Sequence, residues 1–162
     1  MMTVPSERLE LFSQMEKRYE KQDVDFFVKL LDHEDYVVRT RATCILVDIG
    51  GEDKIAHISK VLKNDSNELV RHEAAFSLGQ MGYRNGIKSL EDATKNDPSM
   101  FVRHEAAIAL GVLGSQDAKR TLEEALKDPE QSVRESAAVA LSNLQFVQKL
   151  SKNDKFAKLT GG

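Results

Sequence analysis

The chain of 162 residues contains one cysteine, three prolines, no tryptophan and only 6% aromatic residues. A lone cysteine, Cys44, excludes an intramolecular disulfide framework and fits a reducing compartment. With so few rings, and none of them indole, a stacking platform for single-stranded nucleic acid is not expected. Positive charge is not in excess either. The 23 basic and 26 acidic side chains leave a formal net charge of −3, so no bulk field draws nucleic acid. No apolar run approaches the roughly 18 residues of a membrane span, and the first residues lack the apolar core of a signal peptide. A cytoplasmic protein with no membrane or nucleic-acid partner is therefore expected. What is present, 41% hydrophobic and 30% charged residues, is the composition of an ordered chain able to bury a core.

Repetition organises that composition. Val-Arg recurs at Val38-Arg39, Val70-Arg71, Val102-Arg103 and Val133-Arg134, with the arginines 32, 32 and 31 residues apart. That period belongs to helix-pair repeats. Small-residue segments follow each Val-Arg, from Ala42, Ala74, Ala106 and Ala137, and an aspartate precedes it: Asp32, Asp65, Asp97 and Asp128. Aspartate and arginine are expected to bond across successive turns and hold the repeats in register.

The pattern predicts an all-α chain, an α-α superhelix (a HEAT-like solenoid) of four helix pairs behind an N-terminal capping helix. First helices of each pair are expected near 23–31, 53–63, 84–95 and 116–127, and second helices near 35–49, 67–81, 99–113 and 130–148. Gly50-Gly51, Gly82 and Gly114 stop the first three second helices, as C-cap glycines do. Pro98 and Pro129 stand near the starts of the last two, where a missing N–H costs little. The leading helix, Ser6 to Lys21, carries Leu9, Leu11, Phe12 and Met15 to cover the open end of the array. One domain over 1–148 is expected, with repeats near 23–51, 52–82, 83–114 and 115–148, then a basic flexible tail over 149–162. Alanines at 74–75, 106–107 and 137–138 let neighbouring second helices approach closely. The array resembles the HEAT-like repeats of the phycobilisome-lyase type.

Two of the four histidines fall at matching positions, each followed by a carboxylate: His72-Glu73 and His104-Glu105. Repeat one has Thr40-Arg41 there and repeat four Glu135-Ser136, so only the central repeats carry the pair. On a wheel of about 100° per residue from Val70, Ala74, Ala75 and Leu78 form the buried stripe. His72 falls near 200°, at the edge of the core above Gly79, and Glu73 near 300°. Neighbouring second helices pack about 8–10 Å apart. Two imidazoles at one height could then reach a common ion with bonds of about 2 Å. Glu105 or Glu73 would complete two histidines and a carboxylate with open positions, a ligand set suited to non-haem iron. The plainer reading is that each histidine bonds a neighbouring carbonyl and each glutamate is solvated or paired with arginine.

The remaining chemistry-bearing residues read as structure. His33-Glu34 lies out of register in a turn and is expected to be solvated. His57 has no carboxylate in register and is expected at the surface or core edge. Cys44, within the apolar stretch to Val47, is expected in the core. No phosphate-cradling glycine loop or Ser-His-Asp spacing is present.

A closer resemblance rests on particular phrases. Arg41 to Gly51, Ala56 to Ser59, His72-Glu73 with Ser77 to Met81, Met100 to Ala106 leading to Gly111, and Val133 to Ser136 together resemble one half of the deoxyhypusine hydroxylase family. The similarity covers roughly residues 23–144. It implies iron(II), with His72, His104 and Glu105 as ligands, and Glu73 beside them as a further ligand or as the group that orients water or receives a cationic amine. The implied activity is an O₂-dependent monooxygenase hydroxylating a lysine-derived polyamine side chain on a hypusine-bearing translation factor. Family members have two such halves and four His-Glu pairs around a di-iron centre. This chain has two pairs, so a homodimer would complete the set by bringing the same patch from each subunit together. A different function also fits the repeats: a non-catalytic scaffold binding another protein on its concave face. A relative of the chromophore lyases is a third reading, for which no nucleophile stands out.

Overall fold

The computed structural model describes residues 6–149. Helix α1 (Ser6–Glu20) leads four helix pairs: α2 (Val24–Leu30) with α3 (Tyr36–Ile49), α4 (Ile55–Asn64) with α5 (Glu68–Met81), α6 (Ile87–Asn96) with α7 (Met100–Leu113), and α8 (Lys119–Ala125) with α9 (Gln131–Lys149). No strand occurs among the described residues. The second helices α3, α5, α7 and α9 pack side by side as one layer, and the first helices α4, α6 and α8 pack along the next. None of the described helices is long and apolar enough to cross a membrane. The basic tail expected at 149–162 lies outside the described residues beyond Lys149, which ends α9.

Local chemistry sets the helix ends. The Asp35 and Asn67 side chains accept from the amides of Val37 and Leu69 at 2.9 Å, each capping the start of a second helix. Gly82 and Gly114 close α5 and α7 in the left-handed region, with φ of 76° and 64°, where a Cβ would strain the turn. Gly50 ends α3 differently, in extended backbone.

The aspartates and arginines form a ladder between repeats. The Arg39 fork holds both Asp65 oxygens at 2.7 and 2.9 Å, Arg71 holds Asp97 at 2.8 and 3.0 Å, and Arg103 holds Asp128 at 2.8 and 3.0 Å. The third nitrogen of each guanidinium donates to the turn before its own helix, from Arg71 to the Asp65 carbonyl for example. Each aspartate in turn accepts the amide two residues on, from Asn67, Ser99 or Glu130. Burial raises the Asp65 carboxyl and the Arg39 fork lowers it; the fork wins and leaves it below the ordinary carboxylate range.

Repeat one departs from the expected ladder. The residue in the aspartate position is His33, not Asp32, and its Nδ1 accepts the Asp35 amide at 3.0 Å. His33 is thus half-buried and caps a turn rather than being a solvated loop residue. Asp32 is exposed and meets Lys60 at 3.5 Å. Arg8 of α1 reaches this turn instead at Asp35, two residues on.

Packing follows the small residues. Val70, Ala74, Ala75 and Leu78 of α5 are fully buried, as are Val102, Ala106, Ala107 and Leu110 of α7. A Cβ on Gly79 would lie 2.9 Å from the Ala109 Cβ and 3.0 Å from its Cα. Gly79 therefore serves the contact between α5 and α7; it does not open space beneath His72. Ala137 is buried but Ala138 is exposed, because no described helix follows α9 to cover it. In α1, Met15 is buried and Leu11 and Phe12 pack against the core, whereas Leu9 is exposed.

Candidate metal centre

The second helices set their functional side chains one step out of line with their neighbours. His72 does not face His104 directly. Its Nε2 lies 3.4 Å from Oε2 of Glu105, the residue after His104. His104 repeats that step toward α9, where Nδ1 lies 2.6 Å from Oγ of Ser136 and 3.4 Å from the Ser132 carbonyl. Ser136 occupies in repeat four the position that Glu105 holds in repeat three. Glu73, in the same position of repeat two, faces back to α3 beside the Cys44 thiol. One offset thus produces two rungs, His72 with Glu105 and His104 with Ser136; Cys44, a turn beyond the matching Thr40 position of α3, stands beside Glu73.

Glu105 is the centre of this group. Its side chain is 12% exposed, against 37% for His72. Burial pushes its carboxyl above the ordinary range, and His72 and His104 pull it partly back. Both histidines therefore act on one carboxylate. Glu73 is half-buried, and burial raises it too; Cys44 and His72 oppose that rise while Glu105 adds to it. The two glutamates repel each other, and among the described residues no arginine or lysine is paired with either. A divalent cation would relieve that strain in charge.

Cys44 corrects the expectation drawn from its apolar neighbours. It is exposed on α3, and burial together with Glu73 keeps its thiol above the ordinary range, so it is protonated and can donate. His57 is exposed on α4, away from the rungs.

The donors fit iron in kind: imidazole nitrogen and carboxylate oxygen, with His72 and Glu105 already in contact and His104 acting on the same carboxylate. They fall short in number. Among the described residues, no three His, Cys, Asp or Glu side chains are gathered closely enough to hold a metal ion. His72, His104, Glu105 and Glu73 are brought to one face as expected, but as a staggered set rather than as paired histidines.

Sequence reading missed two features. Ser136 carries no signal of its own, being one serine in a helix, and only the offset between helices gives it a role. The other is a cavity of about 920 Å³ between α1, α3 and α5, whose lining includes Phe12, Tyr19, Tyr36, Arg41, Cys44 and Glu73. Arg41 lies there with its guanidinium 4.4 Å from the centre of the Phe12 ring, and the largely apolar lining carries two carboxylates, Glu16 and Glu73.

Comparison with known proteins follows the same lines. Human deoxyhypusine hydroxylase, solved in complex with glycerol, superposes with a TM-score of 0.72 at 31% identity, covering 84% of this chain and 48% of that one. The chain thus spans about half the length of the hydroxylase. The complex of CpcE and CpcF of phycocyanin lyase from Nostoc sp. PCC7120 superposes with a TM-score of 0.53 at 18% identity, covering 85% of this chain and 74% of that one, a likeness of fold alone. Among curated proteins, no sequence matches. The family model of HEAT repeats matches residues 55–142, more than half of the chain, and the chain belongs to the HEAT-repeat proteins.

Proposed function

We propose that the chain is one half of an iron-dependent hydroxylase similar to deoxyhypusine hydroxylase, completed by a second copy of itself. The observation that carries this reading is the His72–Glu105 contact with His104 acting on the same carboxylate, in the two central repeats only. Scaffold packing does not call for it. The Arg–Asp ladder already holds these helices in register, and leaving carboxylates half-buried without a paired cation costs stability.

His72, His104 and Glu105 would hold the metal, with Glu73 beside them. Bound iron would supply activation of O₂, so that one oxygen atom would enter a C–H bond and the other leave as water, with two electrons from an external reductant and two protons from solvent. The chain's own part is to bind and orient. Glu73, in the lining of the largely apolar cavity, suits the ammonium of an alkyl-amine side chain, and the cavity walls would exclude water from its methylenes. A lysine-derived side chain on a translation factor is the substrate this reading names, in the cytoplasm.

Exposed apolar residues support the second copy. Leu69, Phe76 and Phe101 stand exposed on α5 and α7, flanking the rungs, and Val139 continues the row on α9. Covering them with the same face of a partner would bring two sets of ligands together around one axis. The test is anaerobic loading with Fe(II), then metal content and mass in solution. About one iron per chain and a dimer are expected, and His72→Ala should lose the iron. An iron-free monomer would refute the proposal.

The same apolar row favours a second reading, a scaffold that binds another protein. In that case His72→Ala and His104→Ala would leave partner binding and stability unchanged.

A further inference from the structure

The contacts around His104 bear on which of its nitrogens carries the proton. Ser136 lies one turn beyond Ser132 on α9, and its hydroxyl donates to the Ser132 carbonyl at 2.8 Å. A hydroxyl has one proton, so with that proton committed its oxygen can only accept along its other close contact, the 2.6 Å approach to His104 Nδ1. The second neighbour of Nδ1 is the Ser132 carbonyl at 3.4 Å, which is an acceptor in any state. Two acceptors then face one ring nitrogen, an arrangement that favours hydrogen on it. In a neutral imidazole the other nitrogen, Nε2, then has a bare lone pair, on the side of the ring away from Ser136.

We propose that Ser136 is a positioning residue that holds His104 as the Nδ1–H tautomer and presents Nε2 as a ready metal ligand. This rests on the metal reading above. It also gives the break in the repeat pattern a reason. A glutamate at 136 would add a further carboxylate to a face whose two glutamates are already raised by burial. A serine anchors the ring without charging it. Ligand histidines are commonly oriented in this way through their second nitrogen.

The test separates the tautomer from the metal. Long-range ¹H–¹⁵N correlation spectra of the metal-free full chain, at about pH 8 where imidazoles are ordinarily neutral, read the protonated nitrogen directly. Wild type should show His104 with Nδ1 protonated and Nε2 bare. Ser136→Ala should shift the ring toward the other tautomer and weaken Fe(II) binding by about ten- to a hundredfold. Ser136→Thr, which keeps the hydroxyl, should restore both. Wild-type His104 protonated on Nε2, or a tautomer unmoved by Ser136→Ala in a folded protein, would overturn the proposal. If the tautomer follows Ser136 while wild type binds no iron, the hold of Ser136 on the ring is supported and the metal reading is what fails.

Discussion

Two sets of polar contacts run across the same four helices, and they are built on opposite principles. The Arg–Asp ladder is closed: each fork of Arg39, Arg71 and Arg103 meets both oxygens of an aspartate in the next repeat, and each aspartate also accepts a backbone amide. The rungs of the other set are open. Glu73 has a thiol, Glu105 a half-exposed imidazole, and His104 a serine, and both carboxylates are raised by burial. A scaffold needs every repeat to make the same complete contact. A site needs groups left short of partners so that something else can supply them. The difference between satisfied and unsatisfied polar groups, more than residue type, divides structure from candidate function in this chain.

The largest effect is expected on the closed set. Arg71→Ala leaves Asp97 buried with no cation and should cost about 3–5 kcal/mol, read as the loss of stability in denaturant unfolding. Arg71→Lys should recover only part of it, since an ammonium cannot form the fork. Next is Gly79→Ala, which touches no polar group. Its Cβ would press on Ala109 backbone and side chain, costing about 1–3 kcal/mol and pushing α5 from α7. Iron binding should weaken with it, because the His72–Glu105 rung spans that same contact. If Gly79→Ala destabilises the protein and leaves iron affinity unchanged, the rung is not the site.

His72→Ala should invert the balance of Arg71→Ala. Stability should change by about 1 kcal/mol or less, since the side chain is 37% exposed, while iron binding is lost. The smallest effect has the opposite sign. Burial raises the Glu73 carboxyl in the folded chain, so over the range above its ordinary value of 4.5 the folded state holds a proton that the unfolded state has released. Stability from this group is present in acid and declines as pH rises. Glu73→Gln should therefore raise the melting temperature slightly at neutral pH in metal-free protein, with the gain vanishing in acid. Thermal melts across pH check this, and an equal gain at every pH would show that burial of charge is not the cause.

Much of the architecture was legible because the repeat is strict. Val-Arg and the paired alanines recur at a period that only helix pairs produce, and the helices lie within a few residues of where that period puts them. The candidate residues stand out for the opposite reason, since His72-Glu73 and His104-Glu105 break the pattern in two repeats only. What could not be read was the stagger between helices. A wheel places His72 on a face but says nothing of how far α7 slides past α5, and that slide decides whether His72 meets His104 or Glu105. Cys44 was misplaced by similar reasoning: apolar neighbours in sequence suggested the core, yet its direction on α3 turns it toward Glu73 and the cavity. His33 stands in the first aspartate position, where the arginine from the preceding helix, Arg8, pairs with Asp35 instead.

The sequence alone determined the periodicity, the helix pairs, the cap residues and the identity of the odd residues out, because these depend on spacing within a few turns of one chain segment. Tertiary structure alone decided the partners. Which carboxylate each histidine meets, which nitrogen of His104 is left bare, and where Glu73 opens onto an apolar cavity all depend on the offset between packed helices. That offset is set by close contacts such as Gly79 on Ala109, which join residues 30 positions apart and leave no mark in either helix taken alone.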